Sequence, residues 1–450
     1  MKIRHRGLIP LGLALVLAGA GLADPPPLIE AAKGGDWEAV RALLEEGADV
    51  TATAPDGATA LHWASYWDDL ETAELLIRAS ADVGAANDLG ATPLWIASLN
   101  GSVLMVRSLL EAGADPNAAL LSGETPTMTA ARTGSPRVVE QLLAAGADPN
   151  ASATRGQTAL MWAVSQLHSD VVGVLLEYGA DVHARSETWS QVMAVSPHSA
   201  PENQQDVPHG GNTALTFAAR VGDLASARML VNAGADIDDA DARGASVLVL
   251  AAHSGFRDLT EFALDEGADP NMAEAGFSAL HLAIMRRDEG LARSLLDRGA
   301  DPNARLTNWT PTRRASADWS FNQAMVGATP FWLAARFSQP GVMRLLVEHG
   351  ADPLFVHEVH YVGASGSYGA AGRTEATTTL MAAVGMGGSR RMRTFVAADP
   401  AELEFLTLEA VRLVVELGVD VNATDLEGRT AADARSYPSV REFLAAEGAR

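Results

Sequence analysis

Two histidines, His357 and His360, stand three residues apart in the stretch HEVHYVGASGSYGAAGR, so a helix there would turn both imidazoles to one face, within reach of one metal ion. Neither an H-E-x-x-H pattern nor a further ligand accompanies them. The glycines at 363, 366, 369 and 372 make the same stretch read as a flexible linker, and no Lys-Ser/Thr follows to complete a phosphate loop. Further on, Arg390, Arg391 and Arg393 cluster in GMGGSRRMR, where they either hold an anionic group or offset local acidic charge. The acidic run GADIDDADARG gathers Asp236, Asp238, Asp239 and Asp241, but Val247 occupies the position where a calcium loop needs its final Glu. There is no G-x-S-x-G elbow and no cysteine, which removes the commonest serine arrangement and any thiol nucleophile. No catalytic constellation, metal site or cofactor site emerges, and the chain reads as a non-enzyme.

A second kind of chemistry is recognition. The segment RLTNWTPTRRASADWSFNQAMVG carries Trp309, Trp319 and Phe321 beside Arg313 and Arg314, a mixture of aromatic and cationic groups of the sort that anchors interfaces. The same aromatics are also suited to covering the apolar edge of neighbouring elements. An earlier segment, SETWSQVMAVSPHSAPENQQDVPHGG, is rich in Pro, Gln, Asn and Ser around a single Trp189 and reads as a surface loop.

What positions these segments is a repeat. GADPNA occurs at 113–118, 146–151 and 299–304, with GADPNM at 267–272, and the glycines Gly113, Gly146 and Gly179 are spaced by 33 residues. Ahead of each such turn stands a second string: TALHWA from Thr59, TPLWIA from Thr92, TALMWA from Thr158, SALHLA from Ser278, TPFWLA from Thr329. Thr or Ser caps a helix through its hydroxyl, and Pro is accepted in the first turn, where its missing N–H has no partner to lose. A second amphipathic helix then ends on paired apolar residues, Leu142 and Leu143 for instance, before Gly takes the left-handed conformation that stops it. One such unit cannot bury its own apolar face, so neighbours must stack.

These strings and their period resemble the ankyrin repeat, whose signature is Thr-Pro-Leu-His-x-Ala followed by a Gly-Ala-Asp turn. The resemblance implies an all-α solenoid of about 10–11 helix-turn-helix units that binds a protein partner. It also implies that His62 and His281 make hydrogen bonds between adjacent turns; Trp95, Met161 and Trp332 replace His at that position. Trp63, Trp162 and Phe217 read as core packing between units. Interruptions of the period divide the mature chain into repeats at 24–186, an insertion at 187–208, repeats at 209–304, an insertion at 305–322, and repeats at 323–450 with insertions near 354–377 and 386–405. Insertions in a repeat array fall on one face, often the binding face. Partner anchors are therefore expected at Trp189, Trp309, Arg313, Arg314, Trp319, Phe321, Arg390, Arg391 and Arg393. Two alternatives place a sugar or cell-wall fragment on the inserted tryptophans, or an enzyme's chemistry around His357, His360 and the cluster of Arg390, Arg391 and Arg393.

The setting is read from the N-terminus and the charge. Lys2, Arg4 and Arg6 precede an apolar run from Leu8 to Leu22 that ends in GLA, the pattern of an export signal spanning 1–23 with cleavage after Ala23. Losing that segment takes the net charge from −23 to −26, which repels nucleic acid and anionic membrane surfaces. No later run approaches the roughly 20 apolar residues that a membrane helix needs, so no membrane insertion of the mature chain is expected. Lysine is absent after Lys33, a bias attributable to genomic base composition. Together these features suggest a bacterial periplasmic protein, with secretion as the alternative.

Overall fold

The computed structural model describes residues 26–194, 204–310, 321–362, 372–388, 394 and 399–449. Arg313, Arg314, Trp319, Arg390, Arg391 and Arg393 lie outside that set, as does the expected export signal. The chain divides into two compact units, one of residues 1–187 with 228–234 and the other of 188–227 with 235–450.

In the first unit five helix pairs follow one another: Pro27–Gly34 with Trp37–Glu45, Ala60–Trp67 with Leu70–Arg78, Pro93–Asn100 with Val103–Glu111, Pro126–Thr133 with Pro136–Ala144, and Ala159–Ser165 with Ser169–Glu177. First helices stack on first helices and second on second. A first helix is thus covered by neighbours, and Pro93–Asn100 buries Pro93, Leu94, Trp95, Ile96, Ala97 and Ser98 in succession. The second helix is amphipathic, and Pro136–Ala144 buries only Val138, Val139, Leu142 and Leu143.

The caps follow the sequence. Thr92 Oγ1 accepts the Trp95 amide at 3.2 Å and Thr125 Oγ1 that of Met128 at 3.2 Å. At the close of a unit, Gly146 sits at φ 94°, where a side chain would be strained, and its amide and that of Ala147 donate to Leu143 and Leu142. The Asn of the turn does more than favour a bend. Asn117 Nδ2 donates to the Gly146 carbonyl at 3.1 Å while its Oδ1 accepts the Asp148 amide at 2.8 Å, and Asn150 repeats both bonds with Gly179 and Asp181. Each GADPNA therefore staples its turn to the next.

The second unit repeats the plan from Ala214–Val221 onward. It continues through Val247–Ser254 with Arg257–Asp265, Ala279–Met285 with Glu289–Asp297, Pro330–Arg336 with Pro340–Glu348, and Thr379–Ala383 with Leu403–Glu416. It ends on a single 3₁₀ turn, Ala431–Asp433, paired with Pro438–Ala446. Asn271 and Asn303 make the same double staple, to Gly299 with Asp301 and to Gly350 with Asp352.

Two insertions depart from the loops expected of them. The first contains paired antiparallel strands, Trp189–Ala194 against Gln204–His209, and the third contains Val356–Val362 against Gly372–Thr378. The Gly-rich composition that suggested a linker is concentrated at 363–371, outside the described residues, while β-branched and aromatic residues on either side zip together. The second insertion is pinned at its ends, where Thr310 donates its amide to the Phe321 carbonyl at 3.0 Å and Leu306 its amide to Ala328 at 3.0 Å.

Candidate binding surface

The strand geometry decides the fate of the two histidines. Residues three apart on a strand point to opposite faces, so His357 and His360 share no site, contrary to the helical expectation. His357 is buried against Trp332, ring centroids 4.4 Å apart, and its Nε2 donates to the Val326 carbonyl at 3.0 Å. Burial holds its pKa below the usual histidine value, which keeps it neutral. His360 is exposed and bonded to Thr374 Oγ1 at 2.9 Å. Among the described residues no group of three acidic or histidine side chains is placed to hold a metal ion.

The expected anchors separate as well. Phe321 is fully buried, packed on Phe277 at 4.9 Å and edge-on to His281 at 6.3 Å, so it belongs to the core and cannot reach a partner. Trp309 is half-buried. Trp189, 37% exposed, stacks on His209 at 4.5 Å across its hairpin. The acidic run is turn chemistry: Asp238 Oδ1 accepts the Asp269 amide at 2.9 Å, and the buried Asp241 pairs with Arg220. Of the three residues read as packing, Trp63 is buried, whereas Trp162 and Phe217 are only half-covered.

Phe321 has an electrostatic effect. Under its edge His281 Nδ1 bonds the Ser278 hydroxyl at 2.9 Å, and burial pushes the imidazole pKa down to about 4, against a weaker opposing pull from the Ala304 and Ala328 backbone. Above pH 6.5 the ring is neutral in both folded and unfolded chains. As pH falls below 6.5 the unfolded chain takes up a proton that the folded one refuses, so stability drops progressively, by roughly 1 kcal/mol per pH unit, until about pH 4. Urea unfolding at pH 7 and pH 5 is expected to show this loss, and His281→Gln should show a shallower one; equal pH slopes in the two proteins would refute it.

A surface that the sequence reading did not single out lies in the first unit. Trp63 and Tyr66 from Ala60–Trp67, Trp95 and Ile96 from Pro93–Asn100, and Leu89 and Leu120 from the turns enclose an apolar pocket of about 100 Å³. Tyr66 meets Trp63 edge-on at 5.8 Å and Trp67 at 5.3 Å. Of the lining residues Leu89 is 41% exposed, and the chain neighbours of two others are exposed as well, Trp67 beside Tyr66 at 52% and Leu121 beside Leu120 at 82%. Beneath, His62 links the turns. Its Nδ1 accepts the Thr59 amide at 3.0 Å and its Nε2 donates to the Ala91 carbonyl at 2.9 Å, the bond between adjacent units that the ankyrin resemblance implies for this position. Burial lowers the His62 pKa, and the Ala91 carbonyl and the charges of Asp56 and Asp82 only partly oppose it. The indole N–H groups of Trp63 and Trp95 are buried without an acceptor among the described residues.

Comparison with known families agrees with this geometry. The family described as ankyrin repeats in three copies matches residues 28–120, 94–186 and 215–305, and that described as a single ankyrin repeat matches 326–358. The chain belongs to the ankyrin repeat family. It is also similar to an ankyrin repeat-containing protein of Treponema pallidum (strain Nichols), 40% identical over 87 residues. That match covers 19% of this chain and 29% of the relative. Ankyrin repeats are protein-interaction modules, and the pocket lies where the first helices of successive ankyrin units meet their turns. Its rim was visible only as Leu89, Leu120 and Leu121, apolar residues in the turns NDLG and LLSG, a signal weaker than the aromatic insertions. Among the described residues no helix is long and apolar enough to cross a membrane.

Proposed function

We propose that this ankyrin chain is a non-catalytic scaffold that takes a protein segment against the first unit, seating one bulky apolar side chain between Trp63, Tyr66 and Trp95. The observation that carries this reading is the apolar pocket, with Leu89 in its lining 41% exposed and Leu121, next to the lining residue Leu120, 82% exposed. Size decides between a side chain and a free ligand: small-molecule sites span about 300–1,000 Å³, and this pocket of about 100 Å³ fits a single side chain. Asp56 and Asp82, whose charges act on the pocket-lining His62, favour Lys or Arg flanking the inserted residue, and the net charge of −23 steers such a segment inward. The leader-like N-terminus supports an exported, periplasmic setting for the encounter.

Selection of a random peptide library on the full chain tests the reading. Recovered peptides are expected to share one aromatic or long aliphatic residue with basic neighbours. A consensus of acidic or wholly polar peptides would rule the pocket out.

A further inference from the structure

In the second unit the ends of several helices meet around a cavity of about 370 Å³, inside the size range of small-ligand sites and well above that of the first unit's pocket. Arg287 comes from the turn after Ala279–Met285, Arg336 ends Pro330–Arg336, and Arg435 and Ser436 precede Pro438–Ala446. Phe337 and Tyr437 supply apolar wall. Arg287 adopts a left-handed φ of 56° in the turn position where Gly101, Gly134, Gly222 and Gly255 stand in other units. From there it spends two of its donors on the Phe337 and Ser338 carbonyls, at 2.6 and 3.2 Å.

Three guanidinium groups thus gather in a chain whose net charge is −23, and among the described residues none of them forms an ion pair with a carboxylate. Glu375 acts on Arg336 only through its field, while burial lowers the arginine's pKa. Two of the lining residues each carry a buried polar atom without any hydrogen-bond partner among the described residues, Arg336 Nε and Ser436 Oγ. Leaving such atoms unmet is costly, and a buried guanidinium more so, unless something outside the chain meets them. An oxyanion matches the need: it accepts from Arg336 and Ser436 together and offers the planar pairing that guanidinium groups make with carboxylate or phosphate.

We propose that this cavity binds a small organic anion, a carboxylate or phosphate ester whose apolar body lies against Phe337 and Tyr437. Calorimetric titration of the full chain at constant ionic strength with benzoate, phenyl phosphate and the uncharged benzamide tests it. Saturable binding of benzoate or phenyl phosphate is expected, the tighter of the two identifying the head group, with none for benzamide. Arg336→Gln should abolish it. Arg435 is exposed, so Arg435→Gln should fold normally and weaken the anion at least tenfold. Absence of saturable binding by either anion, equal binding of benzamide, or unchanged affinity in Arg435→Gln would each overturn the proposal.

Discussion

Replacing Phe321 by Ala is expected to lower the free energy of unfolding of the second unit by about 3–5 kcal/mol, the cost of emptying a fully buried aromatic site. The ring touches Phe277, just ahead of the helix Ala279–Met285, and His281 in its first turn, both at least forty positions earlier in sequence, so its loss opens a void under a first helix. The same change admits water to His281, and its pKa should rise from about 4 toward 6.5. Denaturation by urea with hydrogen exchange across 277–285 reads both effects. Unchanged stability with unchanged exchange would mean that the second insertion does not cover this core.

The other large effect is expected on binding. Tyr66→Ala removes the ring that joins Trp63 to Trp67, and affinity for a peptide selected on the full chain should fall about thirtyfold, or about 2 kcal/mol. Leu89 is a cleaner probe of the rim because it is 41% exposed. Leu89→Asp should weaken the peptide while changing stability by no more than about 0.5 kcal/mol. Trp189→Ala, in the first insertion, should leave affinity unchanged. The opposite pattern, binding lost with Trp189 and kept with Tyr66→Ala, would move the site to the hairpin.

The repeat was legible in the sequence because its signals are local. A Thr cap, a following Pro and a glycine with positive φ each act within a few residues, and the regular spacing of Gly113, Gly146 and Gly179 shows that the same local solution recurs. The insertions were legible only as departures from that period. Their strand pairing joins Trp189 to His209 and Val356 to Thr378 across stretches whose composition looks like loop, so the partner that decides the structure is distant. Phe321 shows the same limit. Composition alone fits both an interface anchor and a core cover, and contact with Phe277 chooses the cover. The pocket showed only as apolar residues in two turns and the arginine cavity not at all, because each draws its walls from several repeats and no single repeat contains either.

Hydrogen exchange of the full chain with and without a selected peptide tests the central claim most directly. Protection gained on binding is expected at 58–66, 87–99 and around Leu120, with 189–209 and 305–310 unchanged. Protection confined to the insertions, with the first unit unaffected, would contradict the assignment of the binding surface.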